Sequence, residues 1–259
     1  MAQRVPQPVP KTALVTGAAR RVGRAIALAL AGDGWNVAVH YGASGDAAQE
    51  TARELQALGV RAEAIGADLS DETDLRSLIE RCEAALGPVG LLVNNASTFE
   101  RDSLATATRA SWDRHIDPNL WAPLVLMQDF AARLPQGNDG AVVNIIDQRV
   151  WNLNEDFLSY TMSKVGLWGA TRTLALELAP RIRVNGVGPG PILPSVHQDQ
   201  DRFDSQARAT PLQHGASPDE VAAAVVFLAA AQSVTGQMIA VDSGQHLGWA
   251  PPGPDTPRD

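Results

Sequence analysis

Tyr160 and Lys164 stand four residues apart in Ser159-Tyr160-Thr161-Met162-Ser163-Lys164, a spacing that puts both side chains on one face of a helix. A phenol in water has a pKa of about 10 and exchanges protons poorly at neutral pH, whereas a neighbouring ammonium stabilises the phenolate and lowers that value. The pair can then work as a general acid–base unit. The same spacing also occurs between ordinary helix-surface residues.

A second chemical feature is Thr16-Gly17-Ala18-Ala19-Arg20-Arg21-Val22-Gly23, which follows the apolar run Ala13–Val15 and leads into a helical pattern near Arg24. A glycine-rich turn between strand and helix lets backbone N–H groups approach a pyrophosphate at the positive end of the helix. Two glycines stand where three are usual, so the turn by itself is a weak signal. The end of the second run, Val37-Ala38-Val39-His40-Tyr41-Gly42-Ala43-Ser44, strengthens it by lacking an acid. A carboxylate there would bind the ribose 2′-hydroxyl of NAD and repel a 2′-phosphate. Its absence, with Arg20, Arg21, His40 and Ser44 as candidate phosphate partners, predicts NADP rather than NAD. A solvated helix start is the plainer reading of the two arginines, but positive charge at a helix N-terminus is unfavourable and invites an anion.

The elements that must hold these residues follow from periodicity. Strands are predicted at Ala13–Val15, Val37–Val39, Ala62–Ile65, Leu91–Val93, Ala141–Ile146, Arg183–Val187 and Met238–Val241, alternating with helical stretches such as Asp46–Leu58 and Asp71–Leu86. Ser217-Pro218-Asp219-Glu220 supplies an N-cap, a proline at the first helical position and a glutamate at the third, ahead of the apolar run Val221–Ala231. This alternation predicts an α/β fold, a single Rossmann-like doubly wound parallel sheet of about seven strands with helices on both faces, over residues 11–249. Pro6, Pro8 and Pro10, and the closing PPGPDTPRD, mark residues 1–10 and 250–259 as mobile tails.

A net charge of −8 argues against nucleic acid or an anionic membrane as partner, since either needs a basic field. The one cysteine, Cys82, shares an apolar helical face with Leu75, Leu78, Ile79 and Ala85 and is expected to be a core thiol. No segment has the length of a membrane span or the form of a signal sequence, so a cytoplasmic enzyme is expected. His40, His115, His197, His214 and His246 lie on separate elements, without metal-ligand spacing.

Thr16-Gly17, Asn94-Asn95-Ala96, Asn119, Tyr160 with Lys164, and Gly188-Pro189-Gly190 occur in the order found in short-chain dehydrogenases/reductases. The chain resembles that family over nearly all its length between the tails. The resemblance implies that Asn95, Ala96 and Ser97 line the cofactor and that Asn119 holds a water in a proton relay. It further implies that Lys164 binds the nicotinamide ribose and that Pro189 and Gly190 border the nicotinamide. Asp68, in Ala67-Asp68-Leu69, resembles the family's adenine contact.

Asp147, thirteen residues before Tyr160, departs from the common pattern, in which a serine donates a hydrogen bond to the substrate carbonyl. An ionised carboxylate cannot make that bond, so simple ketone reduction is disfavoured. An aspartate here is similar to the pteridine reductase branch. So are Arg21, matching an arginine in place of the middle glycine, and Phe99, matching a phenylalanine that stacks the pterin against the nicotinamide. Trp151 is either a pocket residue or a surface one. Ala43 falls where that branch places an arginine for the 2′-phosphate.

The expectation is thus an NADPH-dependent reductase that transfers hydride to a C=N bond of a dihydropterin or dihydrofolate. Tyr160 would deliver the proton, Asp147 would orient and reprotonate it, and Lys164 would lower its pKa. The alternatives are a carbonyl reductase of a sugar, acyl or xenobiotic substrate, and a non-enzymatic NADPH-binding regulator. The family likeness also implies a homotetramer formed through the stretches around Trp112–Leu134, Leu153–Leu178 and Met238–Val241. Gln245–Trp249 is a candidate for completing a neighbour's pocket, and Ile192–Thr210 for a substrate lid.

Overall fold

The computed structural model describes residues 4–193 and 199–248. Seven strands form one parallel sheet: β1 (Thr12–Val15), β2 (Asn36–Tyr41), β3 (Ala62–Gly66), β4 (Leu91–Asn94), β5 (Gly140–Ile145), β6 (Ile182–Pro189) and β7 (Met238–Val241). Their spatial order is β3-β2-β1-β4-β5-β6-β7. The chain therefore winds outward from β1 in one direction, returns, and continues from β4 in the other. Such a reversal leaves a crevice at the carboxyl ends of the central strands. The register sets Val15 beside Val93, Asn94 beside Asn144 and Ile145 beside Val187. The loops after β1, β4, β5 and β6 consequently open on the same edge.

Side chains alternate along each strand, so both faces must be apolar if both are covered. Val15, Val39, Val93 and Val143 pack on one face with Ile26, Leu30, Leu55, Val225 and Leu228. Those partners come from α1 (Arg21–Gly32), α2 (Gly45–Ala57) and, near the end of the chain, Pro218–Ala230. Leu14, Leu92, Val142 and Val184 pack on the other with Leu75, Ile79, Cys82, Leu126 and Phe130. Each such fully buried aliphatic side chain contributes about 1.5–3 kcal/mol of transfer free energy. Cys82 is a core thiol, and burial pushes its pKa up to about 12.

The helix α3 (Glu72–Leu86) starts one residue inside the predicted stretch because Asp71 is its N-cap, accepting from the N–H groups of Thr73 and Asp74. A longer departure lies between α4 (Arg109–Ile116) and α5 (Ala122–Arg133). There the helix continues through a π-helical turn at Asp117–Trp121 that contains Pro118 and the fully buried Asn119. Turns of this kind recur at functional sites because the extra residue re-aims its neighbours. Helix α6 (Leu158–Glu177) begins five residues later than expected, since Phe157 takes the left-handed conformation, with φ 61°. Beyond it come α7 (Gln200–Arg208) and α8 (Pro218–Ala230), the latter opened by the predicted capping box of Ser217 and Glu220.

In the segment expected as an N-terminal tail, residues 4–10 carry no helix or strand but are tied to the body of the fold. Arg4 pairs with Asp139, the Gln7 N–H donates to Asp139 Oδ2 at 2.9 Å, and Asn138 Nδ2 donates to the Pro8 carbonyl at 2.9 Å. The C-terminal tail, Trp249 and His197 lie outside the described residues. Among the described residues no helix is long and apolar enough to cross a membrane.

Candidate active site

The β1 and β4 ends are locked together before any ligand is considered. Thr16 Oγ1 accepts the N–H groups of Asn95 and Ala96, both at 2.9 Å, while Asn95 Nδ2 donates to the carbonyls of Thr16 and Gly17. Gly17 has φ +63° and lies against Ala96. A Cβ at Gly23 would sit 2.2 Å from the Gly17 carbonyl oxygen, so only glycine lets α1 start this close beneath the turn. Between them Arg21, standing where the middle glycine is usual, is itself left-handed, with φ 53°. A non-glycine residue there costs about 1–2 kcal/mol, which the surrounding packing must offset.

Two cavities meet over this turn. One is bordered by Gly17, His40, Asp68, Leu69, Ala96 and Ser97. The other, of about 280 Å3, is lined by Arg21, Asn95, Ser97, Phe99, Asp147, Tyr160, Lys164, Pro189 and Gly190, with Phe203 and Gln206 of α7. Ser97 belongs to both, so an elongated ligand can run from one into the other. The geometry thus assembles residues from five separate loops and helices that the sequence had singled out. Residues 192, 193, 203 and 206 of the expected lid also line the second cavity, while residues 194–198 lie outside the described residues.

Tyr160 Oη donates to Asp147 Oδ2 at 2.8 Å, and Asp147 Oδ1 accepts the Arg149 N–H at 2.7 Å. Lys164 Nζ donates to the Ile145 carbonyl at 2.9 Å and lies 5.7 Å from the Tyr160 ring centre. The expected net lowering of the tyrosine pKa is not what the surroundings of Tyr160 produce. Burial, and next the negative charge of Asp147, hold the Tyr160 phenol well above its usual value. Tyr160 is therefore a neutral proton donor at physiological pH. Burial brings Lys164 down to about 8, with Asp147 opposing, so its ammonium is present below that pH and lost as pH rises through it.

The expected role of His40 also changes. His40 is buried and neutral, its pKa lowered to about 4, chiefly by burial. Its Nδ1 accepts the Gly17 N–H at 3.1 Å and its Nε2 meets the Ala67 carbonyl at 3.1 Å, so it braces the turn and cannot serve as a cationic phosphate ligand. Asn119 has both ends of its amide engaged, by the Thr98 N–H and carbonyl and by Ser163 Oγ. Its side chain positions the loop carrying Phe99. Trp151 packs edge-on to Trp168 and His246 at the surface and does not line the cleft. The Tyr41 ring lies over Gly66 and Gly45, outside both cavities, and Ser44 sits at the N-cap of α2 without capping it. Arg20 is exposed at the N-cap of α1, and Val22 packs on the core. Asp68 accepts from the Ser70 hydroxyl at 2.5 Å, which, with the Ser70 N–H, keeps its pKa low.

Sequence reasoning missed the wall behind Phe99. Phe157 stacks on it with ring centres 4.3 Å apart and 14° between planes, and Tyr160 meets it edge-on at 4.7 Å. Asp102 fixes that wall by accepting from the Ser159 N–H at 3.0 Å and the Ser159 hydroxyl at 2.5 Å, while His115 Nδ1 lies 2.7 Å from the same hydroxyl. The left-handed Phe157 is the only local signal, and no residue type announces it.

The family described as enoyl-(acyl carrier protein) reductase, of the short-chain dehydrogenase/reductase type, matches residues 17–246. The chain is 35% identical over 242 residues to the 3-oxoacyl-[acyl-carrier-protein] reductase FabG of Staphylococcus epidermidis, covering 92% of this chain and 99% of that one. Among solved structures it is similar to FolM alternative dihydrofolate reductase 1 of Brucella canis, complexed with NADP. That structure is 46% identical with a TM-score of 0.91, covering 97% of this chain and 99% of the other. The Brucella suis protein, also with NADP, is 46% identical with a TM-score of 0.90 over 93% and 97%. With its parallel sheet, glycine turn and buried Tyr160–Lys164 pair, the chain belongs to the short-chain dehydrogenase/reductase family of oxidoreductases.

Proposed function

We propose that the protein is an NADPH-dependent reductase of a dihydropterin or dihydrofolate. The observation that carries this reading is the hydrogen bond from Tyr160 to Asp147. A carbonyl that becomes an alkoxide gains from two donors, whereas Asp147 in the place of the second donor is an acceptor. Reduction of a C=N bond needs one proton on one nitrogen, and a single phenol supplies it. Phe99 offers an aromatic wall for a flat heterocycle, and the similarity to dihydrofolate reductases of the FolM type points the same way.

The tight turn that glycine at 23 permits, with α1 starting directly beneath it, suits a dinucleotide. Bound along the two joined cavities, NADPH supplies the hydride. Gly17, Asn95, Ala96 and Ser97 would border its middle, Asp68 and Leu69 its adenine, and Lys164, Pro189 and Gly190 its nicotinamide half. With His40 neutral and Arg21 turned to the cleft, the 2′-phosphate is left to Arg20, Ser44 and the N-terminus of α2. Tyr160 gives its proton to the ring nitrogen, Lys164 stabilises the phenolate formed, and Asp147 orients the hydroxyl and passes back to the phenolate a proton taken up from water at the cleft. Assembly as a homotetramer in the cytoplasm belongs to the same reading, with exposed Met162, Val165 and Leu176 of α6 as surface to be covered.

Steady-state NADPH oxidation with dihydrobiopterin, dihydrofolate and a 3-oxoacyl thioester tests the proposal. A kcat/KM at least a hundredfold higher for a dihydropterin is expected. The reverse order would favour acyl reduction, which the FabG relatives suggest.

Arg21→Gly separates backbone from side chain at the turn. Glycine relieves the left-handed strain, so Tm should hold or rise, yet KM for the dihydropterin should rise about tenfold as a guanidinium contact is lost. An unchanged KM would remove Arg21 from the substrate site.

A further inference from the structure

Arg149 is only 6% exposed, yet it lines the cleft beside Asp147 and Tyr160. Its guanidinium lies 5.2 Å from the centre of the Phe157 ring, and Nη1 donates to Asn154 Oδ1 at 2.6 Å. Its Nε is buried without an acceptor. Gln148, 7% exposed and lining the same cleft, has a buried Oε1 without a donor. Among the described residues no ion pair includes Arg149. The neighbouring acid, Asp147, spends one oxygen on the Arg149 backbone N–H and the other on Tyr160.

A buried guanidinium with no ion pair among the described residues is a costly feature unless a ligand supplies a counter-charge. The planar fork of arginine fits a carboxylate. The carboxyl of Asp147 on the same cleft disfavours a dianion such as phosphate more than a single carboxylate. We propose that Arg149, steadied by Asn154 and by its stacking on Phe157, is a subsite for a carboxylate on the side arm of the substrate. The enzyme then favours the folate form of a dihydropterin over an uncharged one. This rests on the dihydropterin reading above and goes beyond it by naming the substituent.

The test compares KM for dihydrofolate and dihydrobiopterin in the wild type, Arg149→Lys and Arg149→Met. The ratio of the first KM to the second is expected to rise at least tenfold in Arg149→Met and less in Arg149→Lys. A ratio within twofold of wild type, with both constants or the kcat pH profile shifting together, would overturn the proposal, since Arg149 would then act on Tyr160 or on the fold. If the wild type reduces neither compound, the dihydropterin reading fails by itself. The subsite is then read by titrating p-aminobenzoylglutamate and its dimethyl ester into the wild-type protein with NADP bound. Binding of the acid at least tenfold tighter than the ester supports it, and equal or absent binding overturns it.

Discussion

Replacing Tyr160 by Phe is expected to lower kcat by about a thousandfold, the range typical of losing a positioned general acid, while NADPH affinity changes less than threefold. The substitution deletes one oxygen and keeps the ring that meets Phe99 edge-on, so the aromatic wall survives. It also strands Asp147 Oδ2, which accepts from that hydroxyl. Asp147 nevertheless stands at the cleft, where water or substrate can reach it, so the protein should fold. Single-turnover NADPH oxidation separates the chemical step from binding, and fluorescence titration gives the affinity. Turnover within tenfold of the wild type would show that the ring nitrogen takes its proton from elsewhere. In that case Asp147, protonated from water at the cleft, would be the next donor to test.

That prediction has a different physical basis from the one the sequence suggested. Tyr160 and Lys164 were legible because their relation is local, four residues along one helix, and helical geometry does the rest. The same locality made the glycine turn and the Ser217–Glu220 capping box readable. Charge tuning is not local. The Tyr160 pKa depends on burial and on a carboxylate from another loop, and these outweigh the opposing charge of Arg149. His40 was misplaced for a related reason. It lies on a strand covered on both faces, where even a polar residue is buried and must find partners, here Gly17 and Ala67. The Phe99–Phe157 stack draws on Asp102, His115 and Ser159, from three segments brought together only by the fold. Each is an ordinary polar residue when seen in the sequence. Asn119 sits in a π-helical turn, a geometry with no composition signature beyond the proline at 118. The central strands were clear because parallel strands buried on both sides are nearly all apolar, as in β1 and β4.

The glycine turn gives the second large effect, and it can be set against an internal control. Gly23→Ala places a methyl 2.2 Å from the Gly17 carbonyl oxygen and 2.6 Å from Asn95 Nδ2. Neither neighbour can yield cheaply. The carbonyl is backbone, and Asn95 is held by its own bonds to Thr16 and Gly17, which join the β1 and β4 ends. Relief must therefore come from moving the start of α1 away from the turn, the surface against which a pyrophosphate would lie. NADPH affinity is expected to fall at least a hundredfold, and Tm to drop by several degrees for a loss of about 1–3 kcal/mol. Gly32, the last residue of the same helix, has open space where its Cβ would go and no unusual φ. Gly32→Ala should leave NADPH affinity unchanged and stabilise the fold by about 0.4–1 kcal/mol, through lost freedom in the unfolded chain. Thermal melts and NADPH titrations on the two variants decide the matter. If Gly23→Ala binds NADPH as tightly as Gly32→Ala, the cofactor does not rest on this turn, and the assignment of Gly17, Asn95 and Ala96 to its phosphates falls with it.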